Sequence, residues 1–241
     1  SAFTQNLPLA IFCGLIMGIV MGIFVGYFHI LMNTNLILTG VAINTFTRGA
    51  TVMILYAFTG DKGSSSLVKS LAVGEVEIPL IKDIPVLGQV FSGHNGFTYV
   101  AFLAVIFTWF LMYRTPLGLR IRAVGENDSA ARSVGENPAA SKLIALGFSG
   151  FFAALGGMYM AMGNMSVFIT NMTGGRGFIG VAADAMGRGN PIGAMLASLL
   201  FGTANAVGNV LQINNFPADM VMAIPYVVSI AGIIIYSAHE Q

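Results

Sequence analysis

The chain has 241 residues, 56% of them hydrophobic and only 9% charged, with a formal net charge of +1. An average globular domain is about 25% charged, and several runs here approach or exceed the ~20 apolar residues that cross a bilayer as a helix. This balance argues against a soluble domain and, lacking a long basic or acidic run, against a nucleic-acid partner; runs that are apolar on all sides argue against a closed β-barrel.

The expected fold class is therefore an all-α, polytopic transmembrane helix bundle. The single cysteine, Cys13, lies in an apolar run and permits no internal disulfide. Leu7 onward lacks the basic flank of a cleaved signal peptide.

The first predicted span runs roughly from Leu7 to Phe28. Gly14, Gly18, Gly22 and Gly26 recur every four residues, which puts them on one face and invites close approach by another helix. A linker from His29 to Asn35 leads to a second span, roughly Leu36–Phe58. Gly40, Asn44, Thr47, Arg48 and Thr51 fall on one face of it, with Arg48 near the middle. A charge at that depth is costly against lipid, so the face is expected to meet protein or water. It reads equally as a cavity lining or as a seam of interhelical hydrogen bonds.

Thr59 to Gly96 is a long polar connection, broken by Pro79 and Pro85, in which Pro79–Val90 suits the membrane surface. The third span, roughly Phe97–Tyr113, carries Trp109 and Tyr113 toward its far end, as an aromatic belt would place them.

Arg114 to Lys142 is polar and holds five of the eleven Lys and Arg residues, so the positive-inside rule makes it cytoplasmic. The 59–96 loop, with three Lys and four acids, then lies outside. VGEN occurs twice, at Val124–Asn127 and Val134–Asn137. Asn127 suits the N-cap of a short helix with Asp128 in its first turn, Gly135 suits its end, and Asn137 caps a second helix with Pro138 at its first position. The expectation is helix, tight turn, helix, shaped to be gripped by a partner; the alternative is a solvated loop.

The fourth span, roughly Leu143–Met162, is rich in Gly, Ala and Ser. Gly163 to Arg176 returns on the outside. Phe178 to Met186 is too short for a regular crossing, and Asp184 and Arg188, four apart, are expected to pair on that helix. Asn190 caps and Pro191 opens a span to about Leu211, with Asn205 and Asn209 on a shared face. The last span is expected from Asp219 to Tyr236, with Pro225 inside it. The count is about seven crossings, one of them short, with the chain's start outside and its end inside.

At 113–143, read YRTPLGLRIRAVGENDSAARSVGENPAASKL, the chain resembles the permease subunits of bacterial ABC-type importers for branched-chain amino acids, ribose-like sugars and nucleosides. Within that class it looks most like the nucleoside and simple-sugar permeases. LILTGVAINTF (Leu36–Phe46), DIPVLG (Asp83–Gly88), GRGFIGVAADAMGRGNPIGA (Gly175–Ala194), LLFGTANA (Leu199–Ala206) and MAIPYVVSI (Met222–Ile230) agree in order, so the resemblance covers nearly the whole chain. It implies about ten helices per subunit, against about seven expected here, so the first ~three spans of a typical member are expected to be absent. It also implies a bacterial cytoplasmic (inner) membrane location, a second permease subunit as homo- or heterodimer, an extracytoplasmic solute-binding protein, and cytoplasmic ATPase subunits that grip Gly125, Glu126, Asn127, Asp128, Arg132, Gly135, Glu136 and Asn137.

No Gly-rich phosphate loop with its Lys occurs, so no cofactor is expected in this chain and ATP is expected on the partner. No metal-spaced cluster of His, Cys and carboxylate and no convincing Ser/His/Asp arrangement occurs, which argues against an intramembrane hydrolase; as a transport subunit without its own ATPase motif, the chain is not expected to be an enzyme. The expected translocation path is lined by Asn44, Thr47, Arg48, Thr51, Asn205 and Asn209. Phe168 and Phe178 suit stacking on a base or sugar, and equally a lipid-facing or core position. The rival readings are an ion-coupled secondary transporter, which needs midplane carboxylates and for which the sole candidate, Asp184, lies near the cytoplasmic end of its segment, and a membrane enzyme.

Overall fold

The structure is a computed structural model that describes residues 6–65, 73–76, 92–165 and 167–213. The described residues are almost entirely helical. Helices α1 (Leu7–Leu31) and α2 (Leu36–Thr59) come first, followed by a two-residue antiparallel pairing of β1 (Glu75–Val76) with β2 (His94–Asn95). Then come α3 (Gly96–Arg114), α4 (Pro116–Glu126), α5 (Asp128–Ser133), α6 (Pro138–Met158), a π-helical turn (Tyr159–Asn164), α7 (Arg176–Gly187) and α8 (Pro191–Ile213). Among the described residues, five helical stretches are long and apolar enough to cross a membrane: α1, α2, α3, α6 with its π extension, and α8. Helix α7 has 12 residues, about 18 Å at ~1.5 Å per residue, and falls short of a ~30 Å hydrocarbon core. The surface segment expected at 79–90 and the last span expected at 219–236 lie outside the described residues.

The chain forms two compact units, Ser1–Ala104 with Phe110–Thr173, and Val105–Trp109 with Gly174–Gln241. In the first, the glycine stripe of α1 meets α6 in an antiparallel pair. A methyl group at Gly18, Gly22 or Gly150 would collide with the backbone of the facing helix, and one at Gly14 or Gly26 would lie 2.8 Å from Met158 Sδ or 2.9 Å from Leu143 Cδ1. Without a strong hydrophobic drive between helices in lipid, such backbone approach is what dispersion forces need to hold a pair. Leu7, Ala10 and Ile11 pack around Phe97, Met158 and Met162, so one end of α1 lies beside the starts and ends of α3 and α6.

The polar connections gather at that same end. Val73 N–H donates to Met162 O (2.9 Å), and Asn95 Nδ2 donates to Val73 O (2.6 Å) and Gly163 O (3.4 Å). Farther along, Ser65 N–H donates to Phe168 O (2.8 Å) and Thr170 Oγ1 donates to Lys62 O (2.8 Å). The 59–96 and 163–176 connections, both expected outside, are thus joined to each other. At the opposite end the α1–α2 corner is held by His29 Nδ1 against Thr34 O (2.8 Å) and by Asn35 capping Ile37 N–H (2.9 Å). The chain therefore passes down α1, up α2, down α3 and up α6.

In the second unit α7 and α8 form a tight antiparallel hairpin. A methyl group at Gly187 would collide with Gly193 and Ala194, and Ala183, Ala197 and Phe201 form the buried contact. Asn190 Oδ1 accepts from Ile192 N–H (3.0 Å), the predicted cap. The expected Asp184–Arg188 spacing on one helix is corrected here. Helix α7 stops at Gly187, and Arg188 sits beyond it in the left-handed region (φ 53°), so the two do not share a helical face.

Candidate functional site

The 114–142 stretch is a three-helix unit, one helix more than expected. Thr115 opens α4 by accepting Gly118 N–H (3.2 Å), with Pro116 at the first helical position. Thr-Pro here is the same start signal as Asn137-Pro138, and it was the legible sign of α4. Gly118 lets the chain double back, because a methyl group there would strike Leu111 O and Met112 of α3.

The predicted caps form. Asn127 Oδ1 accepts from Ser129 N–H (3.0 Å) and Ala130 N–H (3.1 Å), and Asn137 Oδ1 accepts from Ala139 N–H (3.1 Å) and Ala140 N–H (3.4 Å). Gly135 takes φ +86°, its N–H donates to Arg132 O (3.0 Å), and Glu136 N–H donates to Ala131 O (3.1 Å). That bond pair is the Schellman ending of a helix. The second helix of the expected unit and the fourth span are one element, α6, so the unit continues directly into the helix that packs on α1.

The polar side chains of this unit divide in two. Glu136 pairs with Arg120 of α4 (2.9 Å), and Asp128 pairs with Lys142 of α6. Arg122 lies 4.7 Å from the ring centre of Tyr113. Asn127 and Asn137 serve as caps and Gly135 as the turn. Gly125, Glu126 and Arg132 are exposed, and so is Val134, at 79%. Arg120 and Lys142, the basic halves of these two ion pairs, count in the sequence only toward the positive charge of the stretch, not as partners of Glu136 and Asp128. Their partners lie 16 and 14 residues away, beyond any helical period.

On α2, Asn44, Arg48 and Thr51 are exposed and Thr47 is half-buried. Thr47 Oγ1 donates to Ile43 O (2.9 Å) and Thr51 Oγ1 to Thr47 O (2.7 Å), so these hydroxyls are satisfied within their own helix. The face is open: a methyl group at Gly40 would touch nothing within 4 Å. Asn205 and Asn209 are exposed on α8, in the other compact unit. Phe178 is exposed, and Phe168 is half-buried with its N–H donating to Ser65 Oγ (2.9 Å). An aromatic-lined hollow lies instead between α3 and α6, bordered by Phe97, Thr98, Phe152 and Tyr159. Among the described residues no group of three His, Cys or carboxylate side chains is placed to hold a metal ion.

A family described as "Branched-chain amino acid transport system / permease component" matches residues 1–234. The guanosine ABC transporter permease protein NupQ of Bacillus subtilis is 34% identical over 200 residues, covering 81% of this chain and 62% of that protein. The nucleoside ABC transporter permease protein NupC of Lactococcus lactis is 34% identical over 199 residues, covering 80% and 62%. The ribose import permease protein RbsC of Bacillus subtilis is 26% identical over 137 residues, covering 53% and 42%. The chain thus spans about three-fifths of the length of the first two relatives, at 62% of each. No solved structure matches it. By a match over almost its whole length, the chain belongs to the permease-component family of branched-chain amino acid transport systems.

Proposed function

We propose that this chain is a single permease domain of an ATP-driven importer, seated in the bacterial cytoplasmic membrane, and that it moves a nucleoside or simple sugar by alternating access. The family match and the names of the guanosine and nucleoside permeases support the class and the substrate. In this reading 114–142 is the cytoplasmic coupling segment. Separate ATPase subunits bind ATP and dock on Gly125, Glu126 and Arg132. A second permease subunit completes the path, and an extracytoplasmic binding protein delivers the solute.

The observation that carries the reading is mechanical. The short capped helix α5 is joined through one tight turn to α6, and α6 is locked to α1 by backbone-to-backbone packing. Load applied at α5 therefore has a rigid route into the membrane. The exposed stripe of α2 supports the other half of the proposal. An arginine at the middle of an apolar helix must meet protein or water, and Arg48 is exposed, as are Asn44 and Thr51 on the same helix. Asn205 and Asn209, exposed on α8, are proposed separately as polar residues of a translocation path.

The test is co-purification from detergent-solubilised membranes of the native host. Wild-type permease is expected to bring down an ATPase subunit, and a Glu126→Ala/Arg132→Ala variant to lose most of it. Retention by the variant would remove the docking assignment; absence from the wild type would remove the importer reading.

A further inference from the structure

Helix α5 has six residues, and of these only Ala131 is buried. An isolated helix of that length is unstable in water, and one alanine methyl anchors little apolar area. The structure surrounds it with a bracket instead. Asp128, the first helical residue, is paired with Lys142 one turn up α6. Glu136, just past the Gly135 turn, is paired with Arg120 on α4. One ion pair stands at each end of α5, and each reaches a different neighbouring helix. Asp128 also sits where its charge favours the helix dipole.

We infer that Arg120–Glu136 and Asp128–Lys142 are positioning pairs that fix α5 on the foot of α6, so that force delivered to α5 moves the α1–α6 pair rather than being absorbed in the turn. The inference rests on the proposed function and divides the 125–137 segment by role. Glu126 and Arg132 face outward for the partner. Asp128 and Glu136 are engaged by Lys142 and Arg120, and their work is transmission. The side chains are part-exposed (60% for Arg120 and 28% for Glu136; 33% for Lys142 and 47% for Asp128), so each pair is weak in stability terms and its loss should leave the fold intact. What it removes is orientation.

The test uses the assembled transporter in native membranes, with Lys142→Met and Arg120→Met as the single variants. Both are expected to co-purify the ATPase subunit at wild-type yield and to keep the wild-type KM for ATP. Transport and solute-stimulated ATP turnover are expected to fall about fivefold, the factor that ~1 kcal/mol of lost pairing represents. Lys142→Arg and the exchange Arg120→Glu/Glu136→Arg are expected to recover most of the loss, which a merely structural lesion would not do. Three results would overturn the inference: loss of the ATPase subunit from the single variants, which makes these residues docking surface; unchanged transport in both; or an exchange variant that assembles but stays uncoupled. If a single variant fails to assemble, the exchange variant decides by the same readouts. Failure of the wild type itself to hold an ATPase subunit would instead overturn the underlying importer reading.

Discussion

At the residue scale, the two asparagines of the repeated VGEN have the same chemistry and different consequences. Asn127 caps a six-residue helix and Asn137 caps one of 21 residues. Losing a cap costs ~1 kcal/mol in either place, but only α5 is short enough for that cost to matter against its own stability. Asn127→Ala is expected to raise amide hydrogen exchange across 128–133 severalfold, whereas Asn137→Ala is expected to fray only the first turn of α6. Gly135→Ala belongs with the first, because φ +86° is a region that a Cβ disfavours by ~1–2 kcal/mol. These residues were legible in advance because capping is a local rule written within four positions. The ion pairs were not, since Arg120–Glu136 and Asp128–Lys142 depend on how three helices fold back on each other.

At the element scale, the glycine stripe of α1 announced a close neighbour without naming it. Periodicity gives a face, and only the fold shows that α6 fills it, with Gly150 set between Gly18 and Gly22. Helix α4 went unread although Thr115-Pro116 marks its start: its 11 residues are amphipathic, but two arginines and a glutamate make them too polar on average to read as a span. The α1–α6 contact makes a sharp contrast with α2. Gly22→Ala and Gly150→Ala would each push a methyl into the facing backbone, which has no flexible side chain to yield. Overpacking of this kind costs ~1–3 kcal/mol, and both variants are expected to lose thermal stability in detergent. Gly40→Ala meets open space and is expected to gain ~0.5–1 kcal/mol from helix propensity. Measured by thermal aggregation of the solubilised protein, an equal loss at all three positions would show that α1 and α6 are not in contact.

At the scale of the whole molecule, the alternation of the chain follows from two independent lines. Charge leads to the expectation that 114–142 and the 59–96 connection lie on opposite sides of the membrane, and the order of spans adds 163–176 to the side of 59–96. Geometry arrives at the same division, because those two connections are hydrogen-bonded to each other while α3 and α6 run from them toward the three-helix unit. The solute was less legible. Of the α2 residues expected on the path, Asn44, Arg48 and Thr51 are exposed and Thr47 is half-buried, and they form no motif specific to one solute. Sidedness can be tested directly, since the chain has one cysteine, Cys13. In a Cys13→Ser background, Gly63→Cys lies in the connection bonded to Thr170, and Val134→Cys lies at the exposed tip of the α5 turn. A membrane-impermeant maleimide is expected to label Gly63→Cys in spheroplasts and Val134→Cys only after permeabilisation. Labelling of both from outside would mean that α3 and α6 do not cross the bilayer. The reverse pattern would keep the crossings but put the arginine-rich unit outside, where no ATPase subunit can reach it, and would end the proposal that this unit is where ATP-driven motion enters the membrane.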